Sequence, residues 1–310
     1  MRVVAEVGSD DLAKVYIAQT SEGKSIEFVE SLQPSLSREQ KWVLIVSTLS
    51  GCPVACRFCD AGGWYDGKLS TGEIMAQIDY LVMKRFGNPA VPVRHFKIQF
   101  ARVGEPSFNA NVLEVLKQLP ARYDARGLMP SISTIAPAGS EEFFDSLIPI
   151  KETLYPGRFQ FQFSIHTTDT DLRSWIIPIR TWSLQQMAEY GKRFFKPGDR
   201  KITLNFALLQ NAPIDADELL RHFHPEIFLI KLTPVNPTHR ALQNRLRSLL
   251  PESDSRHIVD PLRTSGYEVI VSIGELEDNS IGSNCGQYVM MHRSVAVPLP
   301  SAYTYDVRHI

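Results

Sequence analysis

Three of the four cysteines in this chain of 310 residues lie within one short run, at Cys52, Cys56 and Cys59, and the fourth is Cys285. Thiolates are the soft ligands that iron–sulfur clusters prefer, and a cube of four irons needs a ligand at each of its corners. Three closely spaced thiolates leave one iron without a protein ligand. The spacing therefore predicts a [4Fe-4S] cluster whose fourth iron is open to a small molecule.

The order CxxxCxxC, with Phe58 directly before the last cysteine, resembles the signature of the radical S-adenosylmethionine (SAM) enzymes. In that superfamily the open iron binds the amino and carboxylate groups of SAM. One electron from the cluster then cleaves the sulfonium and produces a 5′-deoxyadenosyl radical. The resemblance implies that SAM is the second cofactor of this chain.

Zinc binding, disulfide formation and core filling fit these cysteines less well. A zinc site usually needs four nitrogen or sulfur ligands, and there is no second CxxC pair and no HxxxH pair. Disulfides belong mainly to exported proteins, whereas the N-terminal residues MRVVAE do not begin like a signal peptide. Cysteines that only fill a core are seldom clustered beside a glycine pair such as Gly62 and Gly63.

The composition limits the class of protein. With 44% hydrophobic and 22% charged residues, the chain can form one large hydrophobic core. No apolar stretch approaches about 18 residues, so we predict no membrane span and expect a cytoplasmic protein. The formal net charge of −1 gives no general attraction to the phosphates of nucleic acids.

Short apolar runs alternate with amphipathic stretches along most of the sequence. Strands are predicted at 42–47, 96–101, 131–135, 159–165, 202–209, 227–232 and 267–272. Helices are predicted after the capping pattern that begins at Ser70, and at 112–119, 141–147, 184–195, 216–223, 241–249 and 257–265. Repeated strand and helix units form parallel sheets covered by helices. We therefore predict an α/β fold with a full or partial (β/α) barrel, and the resemblance to the radical SAM enzymes implies a partial (β/α)6 barrel.

A β-hairpin is predicted ahead of the barrel, because residues 15–18 and 25–30 alternate in polarity around a Ser-Glu-Gly-Lys turn. We expect three parts in the chain. Residues 1–40 form the hairpin extension, residues 41–275 the partial barrel, and residues 276–310 a C-terminal segment that carries Cys285.

Polar residues follow several predicted strands at the point where each strand ends. Glu105 follows the second strand, His166 the fourth and Asn236 the sixth. Taken singly, each could have an ordinary structural role, as a turn carboxylate, a core histidine or a loop asparagine. Because the carboxyl ends of parallel strands meet at one mouth of a barrel, their convergence with the cysteine loop indicates an active site.

Cys285 lies in the polar segment Gly-Ser-Asn-Cys-Gly-Gln, after the last predicted strand. Most single cysteines are inert residues of a core. Its small and permissive neighbours favour a reactive thiol instead.

Taken together, the motifs resemble those of the radical SAM adenine C-methyltransferases of ribosomal and transfer RNA, the RlmN/Cfr group. The resemblance covers residues 22–288, most of the chain. The matching stretches are EGKSIEFVE at 22–30, SGCPVACRFCDAGG at 50–63, LSTGEI at 69–74, GEPSFN at 104–109, SIST at 131–134, SIHTTDTDLRSWIIPI at 164–179, TPVNP at 233–237 and SNCGQY at 283–288.

The resemblance implies a role for each matching position. Cys52, Cys56 and Cys59 would bind the cluster, Cys285 would carry a methyl group, and Glu27 falls where the family has its proton acceptor. In the family, one SAM methylates the carrier cysteine and a second provides the radical that activates the S-methyl group for addition to an sp² carbon. Reduced flavodoxin or ferredoxin is the electron donor that the resemblance implies. The residues expected to contact SAM are Gly104, Glu105, Ser133, Ser164, Ile165, His166 and Asn236.

Two features differ from the family pattern. The family resolves its protein–substrate link with a second cysteine, and that position is Ile45 here. The family's N-terminal RNA-binding extension also has no counterpart before the hairpin. We therefore expect methyl or methylene transfer to a small molecule or cofactor precursor rather than to ribosomal RNA.

Two alternatives remain open. One is an RNA adenine C-methyltransferase that binds RNA through Arg240, Arg245 and Arg247 on a predicted helix, although such a run usually forms a solvated face. The other is a non-catalytic iron–sulfur protein that transfers electrons. Glu105 and His166 argue against the second alternative, because electron transfer needs no SAM pocket.

Overall fold

The computed structural model describes residues 1–33, 35–249, 256–272, 281–282, 288–289 and 303–310. The strands in these ranges are β1 (Arg2–Gly8), β2 (Ala13–Gln19), β3 (Ser25–Ser31), β4 (Lys41–Val46), β5 (Leu49–Gly51), β6 (Tyr65–Lys68), β7 (His95–Phe100), β8 (Leu128–Thr134), β9 (Gln160–Ser164), β10 (Ile202–Leu208), β11 (Phe228–Pro234), β12 (Val269–Val271) and β13 (Arg308–His309). The helices are α1 (Thr71–Phe86), α2 (Asn111–Arg122), α3 (Glu141–Leu154), α4 (Thr170–Ile176), α5 (Leu184–Phe194), α6 (Ala216–His222), α7 (His239–Gln243) and α8 (Arg256–Thr264).

One large sheet organises the chain. Its strand order is β12-β11-β10-β9-β8-β7-β4-β3-β2-β1-β13. Seven of the described strands pair in parallel, namely β4, β7, β8, β9, β10, β11 and β12. Strands β3, β2, β1 and β13 extend the sheet with antiparallel pairing. The predicted α/β class with a mostly parallel sheet is confirmed. The predicted hairpin is also present, as β2 and β3, but β1 was not predicted and makes it a meander.

The parallel strands bury alternate side chains against the helices. In β4 and β7 these are Trp42, Leu44, Phe96 and Ile98, each with no exposed surface. The residues between them, such as Val43, lie on the opposite face and are only half-buried. This alternation places a continuous core on the helical side of β4 and β7 and leaves most of their opposite face only partly covered.

The parallel part of the sheet is rolled, as a partial barrel requires. The loop after β4 touches residues that follow β11, because Thr238 Oγ1 donates a hydrogen bond to Phe58 O at 2.7 Å and Asn244 Nδ2 to Arg57 O at 3.0 Å. Four strands lie between β4 and β11, which would be about 24 Å apart in a flat sheet. The described strands do not close the barrel, since β12 is an edge strand.

Local sequence signals explain most helix boundaries, but α4 was not predicted and one predicted helix is wrong in its extent. The predicted capping box of α1 is present, since Ser70 Oγ accepts from Glu73 N and Glu73 Oε2 accepts from Ser70 N. The helix predicted at 241–249 is wrong in its extent, because α7 is short and the chain then returns to β10. Leu249 N donates to Leu208 O at 2.9 Å, so strand-like pairing there replaces the helical hydrogen bonds.

A second apolar cluster lies between the antiparallel strands and the described residues near the C-terminus. Ile281, Tyr288 and Val289 pack there with Val15 and Val29. The three-part division of the chain stays a prediction. None of the described helices is both long and apolar enough to span a bilayer.

Candidate active site

A small ribbon of two strands, β5 and β6, carries the cysteine loop at the carboxyl edge of the sheet. Cys52 N donates to Trp64 O at 3.0 Å, which fixes the base of the loop. A Cβ atom at Gly62 would lie 2.6 Å from Ala55 Cα, so only glycine allows the two sides of the loop to approach so closely.

Burial disfavours the thiolate form of two cysteines in this loop, and binding to a metal would favour it. Burial raises the pKa of both Cys52 and Cys56. The charge of Cys52 adds to the effect on Cys56, so the two sulfurs lie near each other. Backbone N–H groups of Val54 and Glu105 point at the Cys52 sulfur and oppose the effect of burial. Hydrogen bonds of this kind help iron–sulfur proteins to stabilise thiolate ligands.

The three cysteines supply the soft thiolate donors that an iron–sulfur cluster needs. They form no disulfide. Within the described ranges, no three His, Cys, Asp or Glu side chains converge closely enough to hold one metal ion. An iron–sulfur cube binds each thiolate at a different iron, so its ligands need not share one centre. The donor set of Cys52, Cys56 and Cys59 therefore fits a [4Fe-4S] cluster.

Glu105 offers a buried carboxyl group beside the cysteine loop. Its carboxylate accepts hydrogen bonds from Thr134 Oγ1 at 2.6 Å, Ser107 Oγ at 2.8 Å and Ile135 N at 3.0 Å. Burial raises the pKa of Glu105, while these donors oppose the change. All of these partners are neutral, so an ammonium group such as that of SAM would compensate the charge.

Glycine is required at position 104, where the chain turns just before Glu105. Its φ of +102° lies in a region that favours glycine, and a Cβ atom there would be 2.5 Å from Leu49 Cγ. The turn thus presses β5, which leads into the cysteine loop, against the loop that carries Glu105.

The remaining residues expected to contact SAM lie at the same edge. Ser133 is near the end of β8, Ser164 ends β9, Ile165 and His166 follow it, and Asn236 lies just beyond β11. Ile165 is fully buried and Asn236 is half-buried. The structure therefore brings all of the described candidate residues, Glu27 of β3 included, to the carboxyl edge of the parallel strands. Their individual roles stay predictions.

His166 links this edge to the cysteine loop. Its ring meets that of Phe58 edge to face, with 4.9 Å between the centroids. Its backbone has a φ of +69° and is held by a hydrogen bond from its N–H to Asn205 O. Nδ1 accepts from Ala207 N at 3.2 Å, so this nitrogen carries no proton. Burial lowers the pKa of His166 to about 3, and the charge of Arg173 adds to the shift.

The neutral state of His166 predicts a pH dependence of stability. The unfolded imidazole binds a proton below 6.5 but the folded one does so only below about 3, so stability falls as the pH falls between these values. From pH 7 to pH 5 we expect this residue to cost about 2 kcal/mol of unfolding free energy. Urea unfolding at both pH values measures it. A His166→Asn variant, which tolerates positive φ, should lose this part of the dependence, and an unchanged dependence would contradict the assignment.

Two residues of this region were not predicted from the sequence. Arg173 is buried and donates to Ile135 O at 3.1 Å; burial lowers its pKa to about 10, and the charge of Cys56 opposes the shift. Asn205 is buried in β10, and its Oδ1 meets no donor among the described residues. A single asparagine in the apolar run ITLNFAL was the available signal for Asn205. Arg173 lies within the matched stretch at 164–179 but was not singled out.

A polar clamp holds the cysteine loop against α7. Asp60 accepts hydrogen bonds from His239 N at 3.1 Å and from Arg240 N at 2.9 Å. Arg240 Nη2 donates to Ala55 O at 3.1 Å. Arg240 is half-buried and its guanidinium supports the loop, so its expected contact with RNA stays a prediction. Arg245 is exposed but lies beyond the end of α7.

Glu27 lies in β3, level with the carboxyl end of β4, where Ser47 Oγ donates a hydrogen bond to Glu27 O, and its carboxylate is fully buried. Oε1 is 2.7 Å from Arg102 Nη2 in an ion pair without exposed surface, and Oε2 accepts from Tyr288 N at 2.9 Å and Val289 N at 3.1 Å. Burial raises the pKa of Glu27, while Arg102 and these amides oppose the change. Its role as a proton acceptor stays a prediction, and its contacts show that it holds the C-terminal segment.

Cys285 lies outside the described residues, but residues on both sides of it are anchored. Arg102 Nη2 donates to Gly282 O at 3.0 Å, on the opposite side of Cys285 from Tyr288. Ile45, at the position of the family's second cysteine, packs against the cluster that contains Tyr288. The position is therefore close to the segment that carries Cys285, but its side chain is an alkyl group.

Comparisons with known proteins agree on one group of enzymes. A dual-specificity RNA methyltransferase RlmN from Geobacter sulfurreducens is 30% identical, over 87% of this chain and 72% of the relative. One from Wolinella succinogenes is 26% identical, over 92% of this chain and 83% of the relative. A crystal structure of a radical SAM methyltransferase from Sphaerobacter thermophilus shares the fold, with a TM-score of 0.70, 22% identity, and coverage of 93% of this chain and 81% of the other. No protein-family model matches the sequence.

Proposed function

Because the chain belongs to the RlmN family of radical SAM methyltransferases, we propose that it transfers a one-carbon group to an sp² carbon through Cys285. The observation that carries this proposal is the buried carboxylate of Glu105, surrounded by neutral donors, directly beside the cysteine loop. An electron-transfer protein would have no use for a buried carboxyl group placed to bind an ammonium ligand next to its cluster. The site supports SAM chemistry better than electron transfer alone.

Each described residue would have a distinct task. Cys52, Cys56 and Cys59 would hold the [4Fe-4S] cluster, which supplies the electron that cleaves SAM when both are bound. Glu105 would bind the SAM ammonium group, and the unpartnered Oδ1 of Asn205 would accept a hydrogen bond from the bound cofactor. A reduced flavodoxin or ferredoxin would provide the electron.

RNA is the substrate class that the comparisons favour, since the relatives are RNA methyltransferases by name. This support goes to the RNA alternative rather than to the small molecule that we expected from the sequence. One surface feature agrees with it. Trp175 is 40% exposed, and the Arg57 guanidinium lies 4.7 Å from its ring centroid. Exposed aromatic and arginine side chains stack on unpaired bases, and Arg57 belongs to the cysteine loop.

A smaller substrate is the second candidate, and Ile45 favours it. The residue packs in an apolar cluster with Tyr288, and it has no thiol with which to release a Cys285-linked product. A substrate that releases itself by elimination would need no second cysteine. Ile45 thus separates this chain from a simple copy of the family mechanism.

The test is transfer of label from methyl-deuterated SAM under anaerobic reduction, with RNA as the acceptor. We expect 5′-deoxyadenosine, a methyl group on Cys285 by mass spectrometry, and labelled adenine in RNA. Trp175→Ala should lower RNA labelling about tenfold and leave SAM cleavage unchanged, since one stacked base contributes about 1–3 kcal/mol. Leu220→Ala, at another exposed apolar residue, is the control. Formation of 5′-deoxyadenosine without label in RNA would reject RNA and favour the second candidate.

A further inference from the structure

The last described stretch of the chain, residues 303–310, joins the cysteine loop to the β1 edge of the sheet. At its start, the hydroxyl group of Tyr303 donates a hydrogen bond to Asp60 Oδ2 at 2.7 Å. At its end, β13 pairs with β1, and Ile310 N donates to Val4 O at 3.0 Å. This stretch, which we call the C-terminal strap, is therefore fixed at both ends.

Asp60 connects the C-terminal strap to the cysteine loop. It directly follows Cys59 and is 5% exposed. Its carboxylate also accepts the hydrogen bonds from the backbone N–H groups of His239 and Arg240. The His239 ring in turn stacks on the Tyr303 ring, with 5.6 Å between the centroids and an angle of 18° between the planes. Tyr303 is thus held through both its hydroxyl group and its ring.

The same ring contacts residues on both sides of Cys285. It meets the Tyr288 ring edge to face, with 5.4 Å between the centroids and an angle of 88° between the planes. A Cβ atom at Gly282 would lie 2.8 Å from Tyr303 Cδ1, so glycine at this position lets the backbone approach the ring. Gly282 lies three positions before Cys285 and Tyr288 three positions after it. One tyrosine therefore contacts the cysteine loop and both flanks of the expected methyl carrier.

Tyr303 has a backbone conformation that is unfavourable for a large side chain. Its φ of +58° lies in the left-handed region, which residues of this size rarely adopt. Such a conformation costs free energy and persists where the surrounding contacts offset the cost. The contacts of its side chain with Asp60, His239 and Tyr288 supply that compensation.

The expected chemistry needs the position of Cys285 to be defined relative to the cysteine loop. Transfer of a methyl group to a thiol requires the sulfur to lie close to the SAM methyl group and in line with the bond that breaks. SAM would bind at the cluster, and therefore at the cysteine loop. Glu27 and Arg102 hold the backbone near Cys285 against the sheet, whereas Tyr303 holds it against the cysteine loop.

We propose that Tyr303 is a positioning residue, which holds the segment of Cys285 beside the cysteine loop so that SAM can methylate the thiol. In that step a bond forms between Cys285 Sγ and the methyl carbon while the bond from this carbon to the sulfonium sulfur breaks. The electron pair stays on the sulfur of S-adenosylhomocysteine, and the thiol proton passes to solvent. The inference rests on the proposed function, because it gives Tyr303 a task in methyl transfer through Cys285.

Hydrogen exchange of the peptide that covers residues 281–289, followed by mass spectrometry, tests whether Tyr303 holds this segment. Tyr303→Phe keeps the ring and removes the hydrogen bond to Asp60. We expect exchange at least about tenfold faster than in the wild type, because the loss of a hydrogen bond to a charged group raises the local opening equilibrium by that factor. The matched control is Tyr267→Phe, which removes a buried hydroxyl group that donates to Phe223 O at 2.6 Å and should leave this peptide unchanged.

Methylation of Cys285 measures the consequence for the reaction. The wild type and both variants are produced under iron depletion, checked by intact mass for an unmethylated Cys285, and then reconstituted and given methyl-deuterated SAM anaerobically. We expect methylation about tenfold slower in Tyr303→Phe than in the wild type and Tyr267→Phe, with equal formation of 5′-deoxyadenosine after reduction. A loss of general stability would instead lower both products, and would affect Tyr267→Phe as well.

The outcomes separate this inference from the proposed function. Equal exchange of the 281–289 peptide in Tyr303→Phe and the wild type would overturn the inference, and so would equal rates of Cys285 methylation. If the wild type cleaves SAM but leaves Cys285 unmethylated, the proposed function fails, and faster exchange in Tyr303→Phe still shows that the tyrosine holds the segment.

Discussion

The Cys56→Ser variant is expected to be isolated without a [4Fe-4S] cluster and to form no 5′-deoxyadenosine from SAM. Cys56 lies near Cys52, and the charged side chains of Arg240 and Arg173 are also close to its thiol. Removal of its thiolate leaves two cysteine ligands for four irons, which is too few for a stable cube. Iron and sulfide analysis after anaerobic reconstitution, followed by dithionite reduction and a search for 5′-deoxyadenosine, measures the loss.

The matched control for this variant is Cys285→Ser. It also replaces a cysteine by serine, but it should retain full iron content and SAM cleavage while losing the methyl group on residue 285. The two variants thus separate cluster assembly and radical formation from methylation of the carrier cysteine. A Cys56→Ser protein with a complete cluster and normal cleavage would contradict our choice of ligands.

The positions of the parallel strands along the chain were largely predictable because most of them are short apolar runs followed by a polar turn. The runs that became β7 and β10 could be recognised from alternating or continuous apolar residues alone. Placement of Glu105 and His166 at one edge followed directly, since parallel strands share their carboxyl ends. Local signals therefore predicted the fold class and the edge of the sheet at which the candidate residues lie, whereas the role of each residue stays a prediction.

The features that the sequence did not predict depend on contacts between residues that are distant in sequence. Asp60 supports the cysteine loop through the backbone of Arg240, which lies 180 positions further along the chain. An arginine on an amphipathic stretch resembles any solvated arginine until that contact is known. β1 was missed for a similar reason, because its seven residues become a strand only by pairing with β2. Sequence periodicity does not indicate which distant residues come into contact.

The buried ion pair between Glu27 and Arg102 gives the second large expected effect. The pair joins three parts of the chain, since Glu27 lies in β3, Arg102 precedes the Glu105 loop, and both bind backbone on either side of Cys285. Glu27→Gln would leave the Arg102 guanidinium buried without its counter-charge. We expect a loss of about 3–5 kcal/mol in unfolding free energy, measured by urea denaturation.

A double variant separates the charge effect from general disruption. Arg102→Met combined with Glu27→Gln removes both charges, so it should recover most of the stability that Glu27→Gln loses. The amide oxygen that replaces the carboxylate can still accept one hydrogen bond from the backbone of Tyr288 or Val289. If the double variant is no more stable than Glu27→Gln, the two residues are not coupled and the ion pair is incorrectly assigned.

The methylation state of Cys285 then distinguishes a positioning residue from a proton acceptor. If Glu27 only removes a proton late in the reaction, Glu27→Gln should carry a fully methylated Cys285 and accumulate a protein–substrate link. If Glu27 holds the segment in place, Cys285 should be poorly methylated although 5′-deoxyadenosine still forms. We expect the second result, because the carboxylate is fully buried and its oxygens are already occupied by Arg102, Tyr288 and Val289. Intact-mass analysis of the folded variants decides between these two roles.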